Sequence, residues 1–275
     1  MNHTLDYNYS IRYPFRASYF KKASGICAAC GAQGTFQYLD VINDALAQQW
    51  RISQKLQNAY SARESMRCSD CQCSARLRAL AEAISAVYGD RHQSLRENIE
   101  NNAFGAKKVA EINACGELHN ILKDIEGLQY SEYGSRVPGV KSQDLQKLSY
   151  ASGTFDLLLT SDTLEHIPDY NQALREIHRV LKPGGYHIFT VPLIFSRKTK
   201  RRAVLENGEL KLKAKASYHG AGEEDNLVCT EFGIDFLNDL REANLQTHIY
   251  FGNPLNKNEV NYVLVSKKLK KARIV

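Results

Sequence analysis

The 275-residue chain has no apolar run approaching the roughly 18 residues of a membrane-spanning helix, so no membrane span is expected. Its first residues, MNHTLDYNYSIRYPF, lack an apolar core, so a secretory signal is not expected either. No internal repeat and no low-complexity tract occurs, which excludes solenoid and fully disordered classes. There is no G-x-G-x-x-G, and no Tyr-x-x-x-Lys pair sits in a suitable place, which disfavours a nicotinamide-dependent reductase. Neither sign of charge dominates strongly. The net charge of +6 and a pI near 8.8 suit an anionic ligand but do not by themselves indicate nucleic acid. A hydrophobic share of 43% with 24% charged residues is that of an ordinary globular protein with a sizeable core.

What is present in excess is clustered cysteine. Cys27, Cys30, Cys68, Cys71 and Cys73 fall in two tight groups, while Cys115 and Cys229 stand alone. Without a signal peptide, reduced thiols in a cytoplasm are expected rather than a disulfide framework. Two C-x2-C knuckles, Cys27-Ala-Ala-Cys30 and Cys68-Ser-Asp-Cys71, supply what a tetrahedral Zn(Cys)4 site needs, two thiolates from each loop. The long stretch between them requires inserted helix. Arg63, Arg67, Arg76 and Arg78 flank the second knuckle and are positioned in sequence to offset thiolate charge. Free thiols are the alternative, Cys73 is an alternate ligand, and Cys115 and Cys229 read as packing residues.

Helical spacing runs from Ser74 to Tyr88, with Gly89 as a stop, and residues 50–65 read as more polar helix. Lys108–Asn113, Gln129–Tyr133 and Val140–Asp144 read as short strands, and Leu118–Ile125 has helical spacing. Phe155–Thr160 (FDLLLT) is a continuous apolar run, as in a strand buried on both faces. Asp169–Leu181 carries an apolar helical stripe ended by Lys182-Pro183-Gly184-Gly185, and Tyr186–Val191 is again a strand. This alternation implies a parallel sheet with right-handed crossovers. Asn207-Gly208 signals a two-residue hairpin. Thr230 is placed to cap a helix reaching about Ala243. Gln246–Phe251 and Glu259–Ser266 read as mutually antiparallel strands.

Ligands of such sheets bind beyond the carboxyl ends of the strands, at the switch point. There the chain offers Glu111-Ile-Asn113-Ala114-Cys-Gly116 opening a helix, Glu132-Tyr133 after the second strand, Asp144-Leu145 after the third, and Ser161-Asp162-Thr163 after the fourth. Residues 155–192, FDLLLTSDTLEHIPDYNQALREIHRVLKPGGYHIFTVP, resemble the core signature of class I S-adenosylmethionine-dependent methyltransferases of the type 11 kind. The resemblance covers roughly residues 105–266. It implies an α/β fold with a doubly wound, mostly parallel seven-stranded, Rossmann-like sheet, preceded by an N-terminal Cys-rich helical module. It also implies S-adenosyl-L-methionine as cofactor. Glu111, Asn113, Ala114 and Gly116 would hold its methionine part, Glu132 with Tyr133 its ribose, and Asp144 with Leu145 its adenine. Ser161, Asp162 and Thr163 would line the pocket. Asn113 stands where the family usually has glycine, and the loop is one residue longer. Methyl transfer needs alignment more than a catalytic triad, so the lack of a triad excludes nothing.

Asp162, Glu165 and His166 form D-x-x-E-H, whose spacing puts three ligand types on one helical face. The cluster suits Mg2+ or another divalent ion; loop support is the simpler reading. His219, in Tyr218-His219-Gly220, and His166 are the candidate bases. The basic stretch Ser196–Arg202 follows the fifth strand, where it would steer an anionic acceptor, or else form a solvated loop. The expected organisation is therefore a zinc-knuckle and helical module over residues 1–104 and a methyltransferase domain over 105–275, with an acceptor-side insertion at 192–229. O-methylation of a small-molecule or saccharide acceptor, in the cytoplasm, is the expected function. RNA- or protein-directed methylation, or a nucleic-acid-binding module with a degenerate cofactor fold, is the alternative; nucleic acid is not favoured.

Overall fold

The computed structural model describes residues 22–39, 41–218, 227–253 and 261–270. The first part is β1 (Lys22–Ile26), β2 (Gln33–Gln37), α1 (Asp44–Trp50), α2 (Gln54–Glu64), β3 (Arg67–Cys68), α3 (Ala75–Tyr88) and α4 (Leu95–Glu100). Then follow β4 (Val109–Ile112), α5 (His119–Leu122), β5 (Leu128–Glu132), β6 (Lys141–Ser142), β7 (Phe155–Ser161), α6 (Tyr170–Val180) and β8 (Leu181–Thr190). The last part is β9 (Leu193–Ile194), β10 (Lys200–Arg201), β11 (Ala203–Glu206), β12 (Glu209–Leu212), β13 (Thr230–Gly233), α7 (Phe236–Glu242), β14 (Leu245–Phe251) and β15 (Tyr262–Lys268).

Seven strands form one sheet in the order β14-β15-β8-β7-β4-β5-β6, with β15 the one strand antiparallel to its neighbours. This is the doubly wound, Rossmann-like arrangement of the methyltransferase fold. The chain runs outward from β4 through β5 to β6, then returns to β7 on the other side of β4. The reversal leaves a crevice between the carboxyl ends of β4 and β7.

Alternation within the strands explains why the sheet is covered on both faces. In β7, Leu157 and Leu159 pack on one face with Ile188, Val263 and Val265, while Phe155 and Leu158 pack on the other with Phe189 and Leu264. On the first face lies α3, capped by the Ser74 side chain, which accepts from the Leu77 N–H, and followed by Gly89 as expected. Leu77, Leu80 and Ile84 of α3 bury themselves against the sheet. The same cluster contains Cys27, Phe36, Met66 and Cys68, so one core runs unbroken from the cysteine-rich part into the sheet. On the second face, Ala173, Leu174, Ile177 and Val180 of α6 pack with Phe232, Phe236 and Leu240.

Four local expectations change. Helix α5 has four residues and follows a 3-10 turn, Gly116–Leu118, instead of running from Leu118 to Ile125. The third strand shrinks to the two residues of β6. Thr230 begins a strand rather than capping a helix, because Phe232 inserts into the core and β13 pairs with β9 and β10. Residues Lys182–Gly185 end α6 as expected but form a bulge in β8: the register against β7 jumps between Phe155 and Leu157. A Cβ on Gly185 would lie 2.9 Å from the Asp156 carbonyl oxygen, so no larger residue fits the bulge. The hairpin at Asn207-Gly208 joins β11 and β12 as expected. No helix among the described residues is long and apolar enough to cross a membrane.

His187 of β8 is fully buried, with Nε2 3.0 Å from the Thr160 hydroxyl and its ring stacked 4.0 Å from Phe189. Burial pulls its pKa down to about 3. Between the unfolded value of about 6.5 and that value, only the unfolded chain binds the proton. This group therefore contributes a loss of stability of up to about 1.4 kcal/mol per unit as pH falls through the window. His187→Gln should flatten the decline of melting temperature below pH 6.5. Thermal scans with the same slope in both proteins would refute a buried neutral ring.

Candidate functional site

The crevice is a cleft of about 930 Å³. At the end of β4 the chain must turn back sharply, and Asn113 does this at φ +58°, a left-handed conformation that asparagine tolerates better than other non-glycine residues. Its side-chain oxygen accepts the Tyr133 N–H at 2.8 Å, clipping the turn to the end of β5. The next N–H, of Ala114, donates to Glu132 Oε1 at 2.8 Å, and the Tyr130 hydroxyl donates to the same oxygen. Beyond β6, Asp144 accepts the Gln146 N–H at 2.8 Å, closing a turn that presents Leu145.

Asn113, Ala114, Glu132, Tyr133, Asp144 and Leu145 line this single cleft. Ser161, Asp162, Thr163 and His166 line it from the β7 side. Glu111 and Gly116 do not. Glu111 is fully buried, accepts the Cys115 N–H at 2.8 Å and meets His119 Nδ1 at 2.6 Å, so it braces the turn from behind. Burial raises its carboxyl pKa, opposed by these two contacts. Gly116, at φ +54°, lies so close to Leu77 that an added Cβ would sit 3.1 Å from a Leu77 methyl. That contact lets the turn pack against α3.

The arginines beside the second knuckle do not serve the thiols. Arg63, 1% exposed, grips Asp162 with both Nη atoms at 3.2 and 3.3 Å and donates to the Val191 carbonyl. Arg76 Nε lies 3.2 Å from Asp162 and 2.8 Å from Glu64, while its Nη1 donates to the Ser161 hydroxyl. Arg67 pairs with Glu117, and Arg78 reaches the Met66 carbonyl from above the Phe36 ring. Burial alone would raise the Asp162 carboxyl pKa, but Arg63 and Arg76 outweigh it and hold it well below the carboxylate range. The pair also holds Asp162 at φ +45°, a sparsely populated conformation.

This arrangement gives no support to a divalent ion at Asp162, Glu165 and His166 and favours the simpler reading of loop support. Among the described residues Asp162, Glu165 and His166 form no ligand cluster, and an ion at Asp162 would face two guanidinium groups. Glu165 is 1% exposed, and burial, reinforced by the charge of Asp162, pushes its carboxyl pKa far up. His166 Nδ1 lies 2.9 Å from the Leu227 carbonyl oxygen. A carbonyl only accepts, so Nδ1 carries the proton and Nε2, 3.9 Å from Glu165 Oε1, is the basic nitrogen. Burial lowers the His166 pKa. Leu227 and Cys229 line the same wall, and Leu205 and Leu210 of the β11–β12 hairpin close it from above. His219 lies outside the described residues. The hairpin leucines were missed from sequence because their spacing serves the hairpin alternation and a cleft wall at once.

The two knuckles share one backbone design. In the first, the Gly31 N–H donates to the Cys27 carbonyl and the Cys27 N–H to the Ala32 carbonyl. In the second, Gln72 and Cys68 repeat both bonds with Cys68 and Cys73. Gly31 and Gln72 occupy the same left-handed position, at φ +79° and +60°. The four Sγ atoms of Cys27, Cys30, Cys68 and Cys71 all lie within 4.8 Å of one another, with Cys27–Cys71 at 3.7 Å and Cys30–Cys68 at 3.9 Å. A tetrahedron with metal–sulfur bonds of about 2.3 Å has edges of about 3.8 Å, so the four thiols fit zinc. The inserted helices expected between the knuckles are α1 and α2.

Residues 102–189 match the model of a methyltransferase domain family. Demethylmenaquinone methyltransferase of Alkalihalophilus pseudofirmus is 32% identical over 84 residues, which cover 26% of this chain and 36% of that protein. Sarcosine/dimethylglycine N-methyltransferase of Halorhodospira halochloris is 44% identical over 48 residues, 18% of this chain and 17% of that protein. The chain thus spans little more than a third of the first of these relatives. Among solved structures, the Burkholderia thailandensis 1,6-didemethyltoxoflavin-N1-methyltransferase aligns with 87% of this chain and 97% of its own, at 15% identity and a TM-score of 0.40.

Breaking one partner of a buried ion pair costs about 3–5 kcal/mol. Arg63→Met should therefore lower the melting temperature by about 6 °C or more. In a double-mutant cycle, Arg63→Met with Asp162→Asn should cost clearly less than the sum of the two single changes. Additive effects would mean that the two side chains do not interact in solution.

Proposed function

We propose that the protein is an S-adenosylmethionine-dependent methyltransferase acting on a hydroxyl of a small-molecule or saccharide acceptor, in the cytoplasm. The observation that carries this reading is the convergence of Asn113-Ala114, Glu132, Asp144-Leu145 and Ser161–Thr163 on one cleft at the switch point of the sheet. Residues 102–189, which match the methyltransferase domain, bear all of them. A small acceptor is supported by the names of relatives, which concern demethylmenaquinone, sarcosine or dimethylglycine, and a sterol.

When bound, S-adenosylmethionine supplies a methyl group activated by its sulfonium charge. Glu132, whose carboxylate already accepts the Ala114 N–H, would take the ribose hydroxyls. Asp144 and Leu145 would hold the adenine, one by polar contact and the other by packing. The Asp162 turn, fixed by Arg63 and Arg76, would shape the methionine end. His166 is the catalytic base in this reading. His166 Nε2 would take the proton of the acceptor hydroxyl, whose oxygen would receive the methyl group that S-adenosylmethionine supplies. The Leu227 carbonyl then stabilises the proton already on Nδ1. With an acceptor in place, Leu205, Leu210 and Leu227 would cover that wall against water.

Zinc held by Cys27, Cys30, Cys68 and Cys71 would be structural, since four thiolates leave no open position for substrate. In the ion-free geometry, hydrogen bonding to Cys71 and burial push the Cys27 thiol far up, and burial pushes Cys30 up to about 11. A bound cation removes that penalty on four crowded thiolates.

Glu132→Ala should weaken cofactor binding by about 2–3 kcal/mol, measured by calorimetry; unchanged affinity would refute the ribose assignment. His166→Ala should lower turnover about 100-fold with cofactor affinity near that of the unaltered protein. The base works only when neutral, so turnover should fall with acid below about pH 6.5, through the lowered His166 pKa. A pH profile that His166→Ala leaves unaltered would remove the residue from the reaction. Elemental analysis of protein purified without added metal should find about one zinc per chain. Zinc retained by the Cys68→Ser, Cys71→Ser double variant would place the ion elsewhere.

A further inference from the structure

A second cleft, of about 950 Å³, lies across β13 from the first. Arg51, Arg197, Lys198, Lys200, Arg202 and Lys215 line it. Lys198, Lys200 and Arg202 stand two residues apart along and beside β10 and all line the cleft, whereas Arg201 turns away to lie 4.6 Å from the Tyr170 ring. Arg197 donates to the Trp50 and Arg51 carbonyls at the end of α1, which fixes α1 as the opposite wall. Glu231 is the one acidic residue in the lining, and Arg202 already neutralises it at 2.5 Å. Among the described residues, Arg51, Lys198, Lys200 and Lys215 make no ion pair. So many uncompensated cations in one concavity raise the local concentration of anions. Trp50, Ile194 and Phe232 add apolar groups to the lining.

The segment Leu227–Phe232 connects the two clefts residue by residue. Leu227 and Cys229 face the first, Val228 and Thr230 a small apolar gap, and Glu231 and Phe232 the second. Two residues of extended chain, about 7 Å, separate Cys229 from Glu231. The two clefts therefore share one extended segment as their common wall.

We infer that the basic cleft binds the diphosphate group of a diphosphate-bearing small molecule, as the anionic handle of the methyl acceptor. This rests on the methyltransferase reading for the word acceptor, but not for the anion site itself. The number of unpaired cations exceeds what one carboxylate or monophosphate would neutralise. A volume near 950 Å³ with Trp50 and Phe232 in its lining holds a whole small molecule. A net charge of only +6 over the chain argues against an extended nucleic-acid track.

The full-length protein should bind inorganic pyrophosphate saturably at about 50 mM salt, more tightly than inorganic phosphate, and more weakly as salt rises. Lys200 and Lys215 are exposed, so the Lys200→Glu, Lys215→Glu variant should fold normally and lose at least about tenfold in pyrophosphate affinity. Saturating S-adenosylhomocysteine should leave that affinity unchanged, because the clefts are separate. No saturable binding, an unaffected variant, or competition by S-adenosylhomocysteine would each overturn the inference. So would a single-stranded RNA oligonucleotide that the variant loses and pyrophosphate fails to displace; that result would mark a nucleic-acid face. Failure of the methyltransferase reading shows separately, as absent S-adenosylmethionine binding with pyrophosphate binding intact.

Discussion

A guanidinium group taken out of water costs several kcal/mol unless an anion meets it with good geometry. Two such groups, on Arg63 and Arg76, converge on the carboxylate of Asp162. They come from the end of α2 and the start of α3, on either side of the second cysteine knuckle. The carboxylate sits at the tip of β7, in the turn that walls the cleft. Folding of the cysteine-rich part and shaping of that turn are therefore coupled: without the first, Asp162 loses both guanidinium partners, and without the second, Arg63 and Arg76 share Glu64 alone. The N-terminal part braces the wall of the site through Asp162 without lining the cleft itself, a role its separate composition conceals.

The sheet supplies the rest by alternation. Continuous apolar strands allow α3 and α6 to cover opposite faces, and this double covering forces the chain to reverse direction at β4. The reversal opens the crevice, and the residues after each strand fall into it without needing any further motif. Turns do the fine placement. Asn113 supplies the backbone conformation that glycine supplies in the resembled pattern, and adds a side-chain bond to Tyr133 that glycine cannot make.

Periodic features were legible in sequence. The FDLLLT run, the α3 and α6 stripes, the Asn207-Gly208 turn and the paired knuckles all reappear in place, because local spacing decides them. Features set by tertiary partners were not. Thr230 has the chemistry of a cap but lies in a strand, since Phe232 two residues on has a core to fill. The D-x-x-E-H spacing suggested a metal, but spacing says nothing of Arg63, some hundred residues upstream, which takes Asp162 for itself. Glu111 and Gly116 sit in the expected motif yet face inward, because a tight turn needs support from behind as well as contact in front. The flanking arginines were visible, but their partners were not.

Leu205 and Leu210, facing pairs on the β11–β12 hairpin, overhang the cleft while remaining 45% and 47% exposed. Apolar surface of this kind is hydrated until something fills the space beneath it. Occupancy of the cleft then removes leucine surface from water, and the heat capacity of the complex falls below that of its parts. The enthalpy of association consequently becomes more favourable on warming. Near room temperature the release of ordered water carries much of the leucines' share, so that hydrophobic contribution weakens in the cold while the polar contacts at Glu132 and Asp144 persist.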